Sequence, residues 1–166
     1  MIVLGIDPGF GRVGYGVIDY TKNQYKVIEY GCISTEPNSD FPKRLKKIEQ
    51  DLTEIIGKYK IDASSIEELY FNNNSKTAIK VAEARGVILN TLETNHIPIF
   101  EYTPLQAKLA IVGYGRADKQ QVKTMVKRFL NLESMPKLDD TTDALAIAIC
   151  HTNSCRIGDY VKVTKK

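Results

Sequence analysis

The chain reads as one α/β domain with a mixed sheet covered by helices on both faces, and three observations carry that reading. Apolar residues alternate through the opening segment, as they do in antiparallel strands with one face buried. Farther on they recur at spacings of three and four, which is the amphipathic helix period. Strand-like and helical stretches then alternate, the pattern of parallel pairing through helical crossovers.

In order, MIVLGID is a buried strand, PGFGRVG supplies turn chemistry, and YGVIDY and YKVIEYGCI complete a three-stranded meander. After the loop STEPNSDFP, Leu45, Ile48, Leu52, Ile55, Ile56 and Tyr59 mark a helix that covers one sheet face. SIEELYF is a short strand, and a helix follows from about Ser75 to Asn95. The strand IPIFEY runs toward Pro104, a residue suited to a helix start. Helices over 104–112 and 117–130 come next, and TTDALAIAIC is the last. The sheet therefore has five strands, in one domain over 1–155 with a basic C-terminal tail over 156–166. On the 75–95 helix, Ala78, Ala82 and Gly86 form a stripe of small residues, fit either for core packing or for a subunit contact.

No apolar run approaches the ~20 residues a membrane span requires, so no membrane partner is expected. Nothing at the N-terminus reads as a secretion signal, and three cysteines make an odd count without framework spacing. Both features point to the cytoplasm. CHTNSC could be a zinc half-site, but a second ligand pair is missing, so its cysteines are read as packing residues.

Charge is uneven along the chain. Residues 1–104 carry 12 Lys/Arg against 14 Asp/Glu, whereas 105–166 carry 11 against 6. Between Ala107 and Leu130, Lys108, Arg116, Lys119, Lys123, Lys127 and Arg128 face only Asp118 as a local counter-charge. Arg116, Lys119, Lys123 and Lys127 follow at helical spacing, as one basic stripe able to track a phosphate backbone. A solvated helix face is the plainer reading.

Four acids need explaining. Asp7 ends the first strand before Pro8 and Gly9, Glu67 interrupts an apolar strand, and Asp140 and Asp143 open the last helix three residues apart. Asp7 could be a turn residue and Asp140 a helix cap, but a charge inside a strand needs a partner. Strand alternation sends Glu68 to the opposite face from Glu67, and Asp139 is a spare beside Asp140. Should the four converge, two charges about 4 Å apart repel by roughly 4 kcal/mol at an effective dielectric near 20, so cations are required. Hard oxygen donors without His or Cys select Mg²⁺ or Mn²⁺. A carboxylate cage with two such ions is the apparatus of phosphodiester cleavage.

GIDPGFGRVGYGVI, SIEELYF, ARGVIL, FEYTPLQAKLAIVGYGRADKQQV and DDTTDALAIAI, in this order from Met1 to about His151, resemble the RuvC family, the bacterial crossover junction endodeoxyribonucleases that resolve Holliday junctions. The resemblance implies an RNase H-like fold, a homodimer, and Mg²⁺-dependent symmetric nicking of four-way junction DNA in recombination and repair. The family's acidic tetrad falls on Asp7, Glu67, Asp140 and Asp143, and its DNA-contacting lysines on Lys108 and Lys119. Its junction-inserting aromatic, commonly Phe, falls on Tyr70 with Phe71 adjacent. The branch-migration proteins RuvA and RuvB are the implied partners.

Other readings compete. Asp-Pro-Gly followed by further glycines also describes the phosphate hairpin of sugar-kinase and actin-like ATPases, but 166 residues hold no second lobe or second phosphate loop. A nuclease acting on RNA, or a binding module without catalysis, would share the fold, and the intact tetrad speaks against the latter.

Overall fold

The structure, a computed structural model, describes residues 1–69 and 75–157, and alternation along its strands decides which helices each sheet face receives. Strands β1 (Ile2–Asp7), β2 (Arg12–Thr21), β3 (Gln24–Ser34), β4 (Ala63–Glu67) and β5 (Ile99–Tyr102) form a sheet in the order β3-β2-β1-β4-β5. The β1–β2 and β2–β3 pairs are antiparallel, while β1–β4 and β4–β5 are parallel. Lys22 and Asn23 both take positive φ, 52° and 64°, in the tight two-residue turn that joins β2 to β3.

Leu4 and Ile6 of β1 and Val13 and Val17 of β2 turn toward α1 (Phe41–Lys58) and α2 (Ser75–Thr94), where Ile48, Leu52, Ala84, Ile88 and Leu92 complete one core. Val3 and Ile18 point to the other face. There α5 (Asp139–Ile157) lies on the sheet and under α3 (Pro104–Val112) and α4 (Lys119–Phe129), with Leu145, Ile149, Ile111, Val122 and Val126 filling the space. The mixed five-stranded sheet with helices on both faces is thus the expected one.

Several boundaries differ from expectation, each because of pairing. Arg12 and Val13 belong to β2 rather than to the turn, since the ladder with β3 runs on past Gly14 to the Val13–Ile33 and Arg12–Ser34 pairs. β4 begins at Ala63 and stops at Glu67, short of Glu68 and Leu69, because its last ladder pair is with Tyr102, where β5 ends. The last helix starts at Asp139 and passes Cys150 to end at Ile157. α4 starts at Lys119, where Asp118 and Gln121 form a capping box, so Arg116 stands in the preceding turn and is not on the helical stripe.

The small-residue stripe of α2 does not enter the core. Ala82 and Gly86 are exposed, Ile79 is 69% exposed, and a Cβ at Gly86 would meet open space. At the far end of α5, His151 is buried with its Nδ1 2.8 Å from the Tyr102 hydroxyl, and burial lowers its pKa to about 4. Cys32, Cys150 and Cys155 are free thiols, Cys150 is buried, and Cys155 Sγ stands 3.4 Å from Nε2 of His151.

Candidate active site

The site is assembled by register. Parallel pairing of Ile6 with Ile66 sets Asp7 and Glu67 side by side at the carboxyl ends of β1 and β4. In an open α/β sheet, that edge is where ligands are received. Antiparallel pairing sets Gly14 opposite Asp7, and over Gly14 passes the backbone of α5. A Cβ on Gly14 would lie 2.0 Å from the Asp140 carbonyl oxygen, and one on Gly5 would lie 2.1 Å from that of Ala144. Only glycine at both places lets the helix come so near. The Thr141 hydroxyl, donating to the Gly31 carbonyl at 3.1 Å, ties the first turn of α5 to β3.

These contacts bring the first turns of α5 against the strand ends, and the four predicted acids share one electrostatic field. Burial and the neighbouring charges of Glu67, Asp143 and Asp140 push the Asp7 carboxyl up to about 8. Burial and Asp143 raise Glu67 as well, and a hydrogen bond joins its side chain to that of Asp7. Burial also raises Asp143, against the pull of Lys119. Burial and like charge favour a proton on Asp7, placed to be donated in the hydrogen bond to Glu67.

Cations stand around the rim. Arg12 Nε is 3.7 Å from Asp140, and Lys119 Nζ lies 3.3 Å from Asp143 and 3.0 Å from Asp139. Lys123 Nζ reaches Asp139 at 2.6 Å. Contact with Lys123 and then Lys119 holds the exposed Asp139 carboxyl below the usual carboxylate range, which separates it chemically from its buried neighbours. Burial disfavours the charged form of Lys119, but Asp139 and Asp143 outweigh it and raise its pKa. Among the described residues no three His, Cys, Asp or Glu side chains form a ready-made metal cage. Asp143 is turned to Lys119 and Asp140 to Arg12. The donor chemistry nevertheless suits a divalent cation, since all four groups are oxygen acids and three are burdened by burial.

Between Glu67, Asp143, Lys108 and Lys119 opens a cavity of about 220 Å³ with Pro104 and Ile147 in its wall. Lys108 and Lys119 therefore flank Glu67 and Asp143, while Arg116 is exposed in the turn before α4. Tyr70 and Phe71 lie outside the described residues. Sequence reading passed over Arg12 and the glycine cradle. A signal for the cradle was present in Gly14 and Gly16, two glycines on one face of a strand, which mark a close backbone approach.

Comparison with known proteins follows the same outline. Residues 3–151 match the family described as Crossover junction endodeoxyribonuclease RuvC. The chain belongs to the RuvC family. It is 50% identical over 163 residues to the RuvC of Alkaliphilus oremlandii, covering 98% of this chain and 99% of that one. It is 49% identical to the RuvC of Clostridioides difficile, with 98% and 96% covered. Thermus thermophilus RuvC, solved in complex with Holliday junction substrate, superposes with a TM-score of 0.93 at 30% identity, over 98% of this chain and 99% of that one. The yeast mitochondrial Holliday junction resolvase shares the fold at a TM-score of 0.66 and 16% identity, over 91% and 77% of the two chains. As a member of the RuvC family, with its RNase H-like fold, the protein is a crossover junction endodeoxyribonuclease, a Holliday junction resolvase of DNA recombination and repair.

Proposed function

We propose that this resolvase hydrolyses phosphodiesters with two Mg²⁺ ions held by Asp7, Glu67, Asp140 and Asp143, Mn²⁺ being able to substitute. The observation that carries the reading is the convergence of four carboxyl groups from three separate elements at one sheet edge, with burial and mutual repulsion driving Asp7 to about 8. When bound, such ions supply an activated water and stabilise the departing oxygen. Asp7 gives up its proton as the site fills, so metal affinity rises with pH. Lys108 and Lys119 receive the phosphate backbone at the cavity rim, and Arg12 holds Asp140 in place beside Gly14.

Four-way junction DNA is the substrate, nicked symmetrically by a homodimer. Two paired nicks call for two active sites in fixed relation, which a two-fold dimer supplies. The exposed face of α2, with Ile79, Ala82 and Gly86, is a surface on which a second copy can approach closely. Lys123 and Arg116 extend the phosphate contacts, and Tyr70 or Phe71 stacks on a base at the crossover. Free cysteines fit a cytoplasmic place, and family membership favours RuvA and RuvB as partners.

The deciding experiment is cleavage of a synthetic four-way junction beside a linear duplex and an RNA–DNA hybrid, with Mg²⁺, Mn²⁺ or chelator. Paired nicks in the junction only, lost in chelator, are expected. Equal cutting of the hybrid would favour an RNA-directed nuclease, and undiminished cutting in chelator would remove the metal. Tyr70→Ala should impair cleavage more than binding; normal cleavage by this variant would pass the stacking role to Phe71.

A further inference from the structure

Asp139 is the one acid of the α5 start that the catalytic reading leaves without a task. It stands half in solvent at 52% exposure, and its two oxygens are divided between two lysines of α4. One accepts from Lys123 Nζ at 2.6 Å and the other faces Lys119 Nζ at 3.0 Å. Lys119 and Lys123 are four residues apart, so they rise from α4 as neighbours, and a single anion spans both. Two oxygens shared between two ammonium groups are also what a DNA phosphate presents. Lys119 extends the arrangement by touching Asp143 at 3.3 Å.

We propose that Asp139 is a positioning residue, an internal stand-in for a DNA phosphate. It holds Lys119 and Lys123 on α5 until the backbone of the junction displaces it. The exchange draws Lys119 away from Asp143 in the same movement, so arrival of DNA frees an acid of the catalytic group. This rests on the reading of Lys119 and Lys123 as phosphate contacts. The exchange is an easy one because the pairs are exposed, where ion pairs are weak and screened by salt. A buried pair would resist displacement. The latch acts on charge and not on bases, so its effect is the same for every junction sequence.

The test is equilibrium binding of a fluorescent four-way junction by the full chain in chelator, across a range of salt concentrations. It compares the unaltered protein with Asp139→Asn, Asp139→Glu, Lys123→Ala, and the Lys119→Ala/Lys123→Ala pair with and without Asp139→Asn. Asp139→Asn should bind roughly three- to tenfold more tightly at low salt. Its log affinity should fall more steeply with log salt, by up to about 0.9, one phosphate contact's worth. Asp139→Glu should restore the original behaviour, which loss of a merely structural contact at the helix start would not predict. The gain should vanish when both lysines are alanine. Unchanged or weaker binding by Asp139→Asn, with Lys123→Ala still weakening binding, would overturn the latch and leave the phosphate surface standing. Should both lysine variants keep full affinity and slope, the phosphate reading fails and the latch with it. A gain that persists in the double-alanine background would mark a general charge effect and also overturn the latch.

Discussion

Helices α1 and α5 are nearly equal in length, 18 and 19 residues, and they treat their charges in opposite ways. α1 buries one stripe, with Ile48, Leu52 and Ile55 inward, and pairs outward charges along itself, Lys47 with Asp51 at 2.8 Å and Lys58 with Glu54 at 3.5 Å. α5 is enclosed on nearly every side from Thr141 to Thr152, and the cations for its acids come from β2 and α4. Pairs within one helix are solvated and local, so they trim the surface and contribute little. Pairs between elements are no less exposed, so they orient the side chains of Asp140 and Asp143, while the buried residues Leu145, Ala148 and Ile149 hold α5 itself against its neighbours. An enclosed helix cannot turn or slide without breaking core contacts, which makes its first turns a firm mount for a reactive group.

The largest expected effect comes from the acids that α5 and the two strand ends bring together. Asp7→Asn, Glu67→Gln, Asp140→Asn or Asp143→Asn should reduce junction cleavage below detection while binding holds or tightens, because each removes an oxygen donor and a negative charge near phosphates. Nicking assays and binding titrations on the same samples read this out. Full cleavage by Asp140→Asn together with loss in Asp139→Asn would shift the assignment by one residue.

Next come the glycines. Gly14→Ala would force a Cβ within 2.0 Å of the Asp140 carbonyl, so the helix must lift or the strand must bend. A loss of about 3 kcal/mol and a Tm lower by about 5–10 °C are expected in thermal melts, with cleavage impaired. Gly57 on α1 meets nothing within 4 Å, and Gly57→Ala should stabilise by about 0.5–1 kcal/mol through helix propensity. A harmless Gly14→Ala would show that α5 is not held as closely as its backbone contacts imply.

The acids beside the start of α5 and the histidine near its far end should also answer pH with opposite sign. Asp7, raised from 3.8 to about 8, favours the fold at low pH, and that contribution is lost as pH rises through its folded value. In chelator, the Tm advantage of Asp7→Asn over the unaltered protein should widen from pH 5 to pH 8. His151, lowered from 6.5 to about 4, is neutral in the fold, so its contribution is present above 6.5 and lost as pH falls toward 4. His151→Gln should flatten that acid limb. Differences in Tm that stay constant across both ranges would remove these groups from the pH response.

The smallest effect belongs to α1. Lys47→Ala should cost only about 0.3–0.5 kcal/mol, the worth of an exposed pair four residues apart, and leave nicking unchanged.

Element types and the identity of the acids were legible in the chain itself. Apolar periodicity marks each strand and helix, because burial of one face is a local property of spacing. Glu67 stood out because a charge in an apolar strand needs a partner, and that holds wherever the strand lies in the sheet. Boundaries were less legible. β4 ends with the Glu67–Tyr102 pair and β2 begins where Arg12 pairs with Ser34, which are facts about neighbours. The cations of α4 were read with Asp118 as their only local counter-charge, yet Lys119 and Lys123 find Asp139 and Asp143 some twenty residues away. The stripe of α2 admitted two readings until packing put Ala84, Ile88 and Leu92 inside and left Ala82 and Gly86 outside. The sequence thus determined the periodicities, the supply of carboxylates and lysines, and the glycines that permit close approach. Tertiary structure alone decided which acid meets which cation and which acids lose water. Charge pairing and desolvation depend on distances between segments, and no spacing along the chain carries those distances.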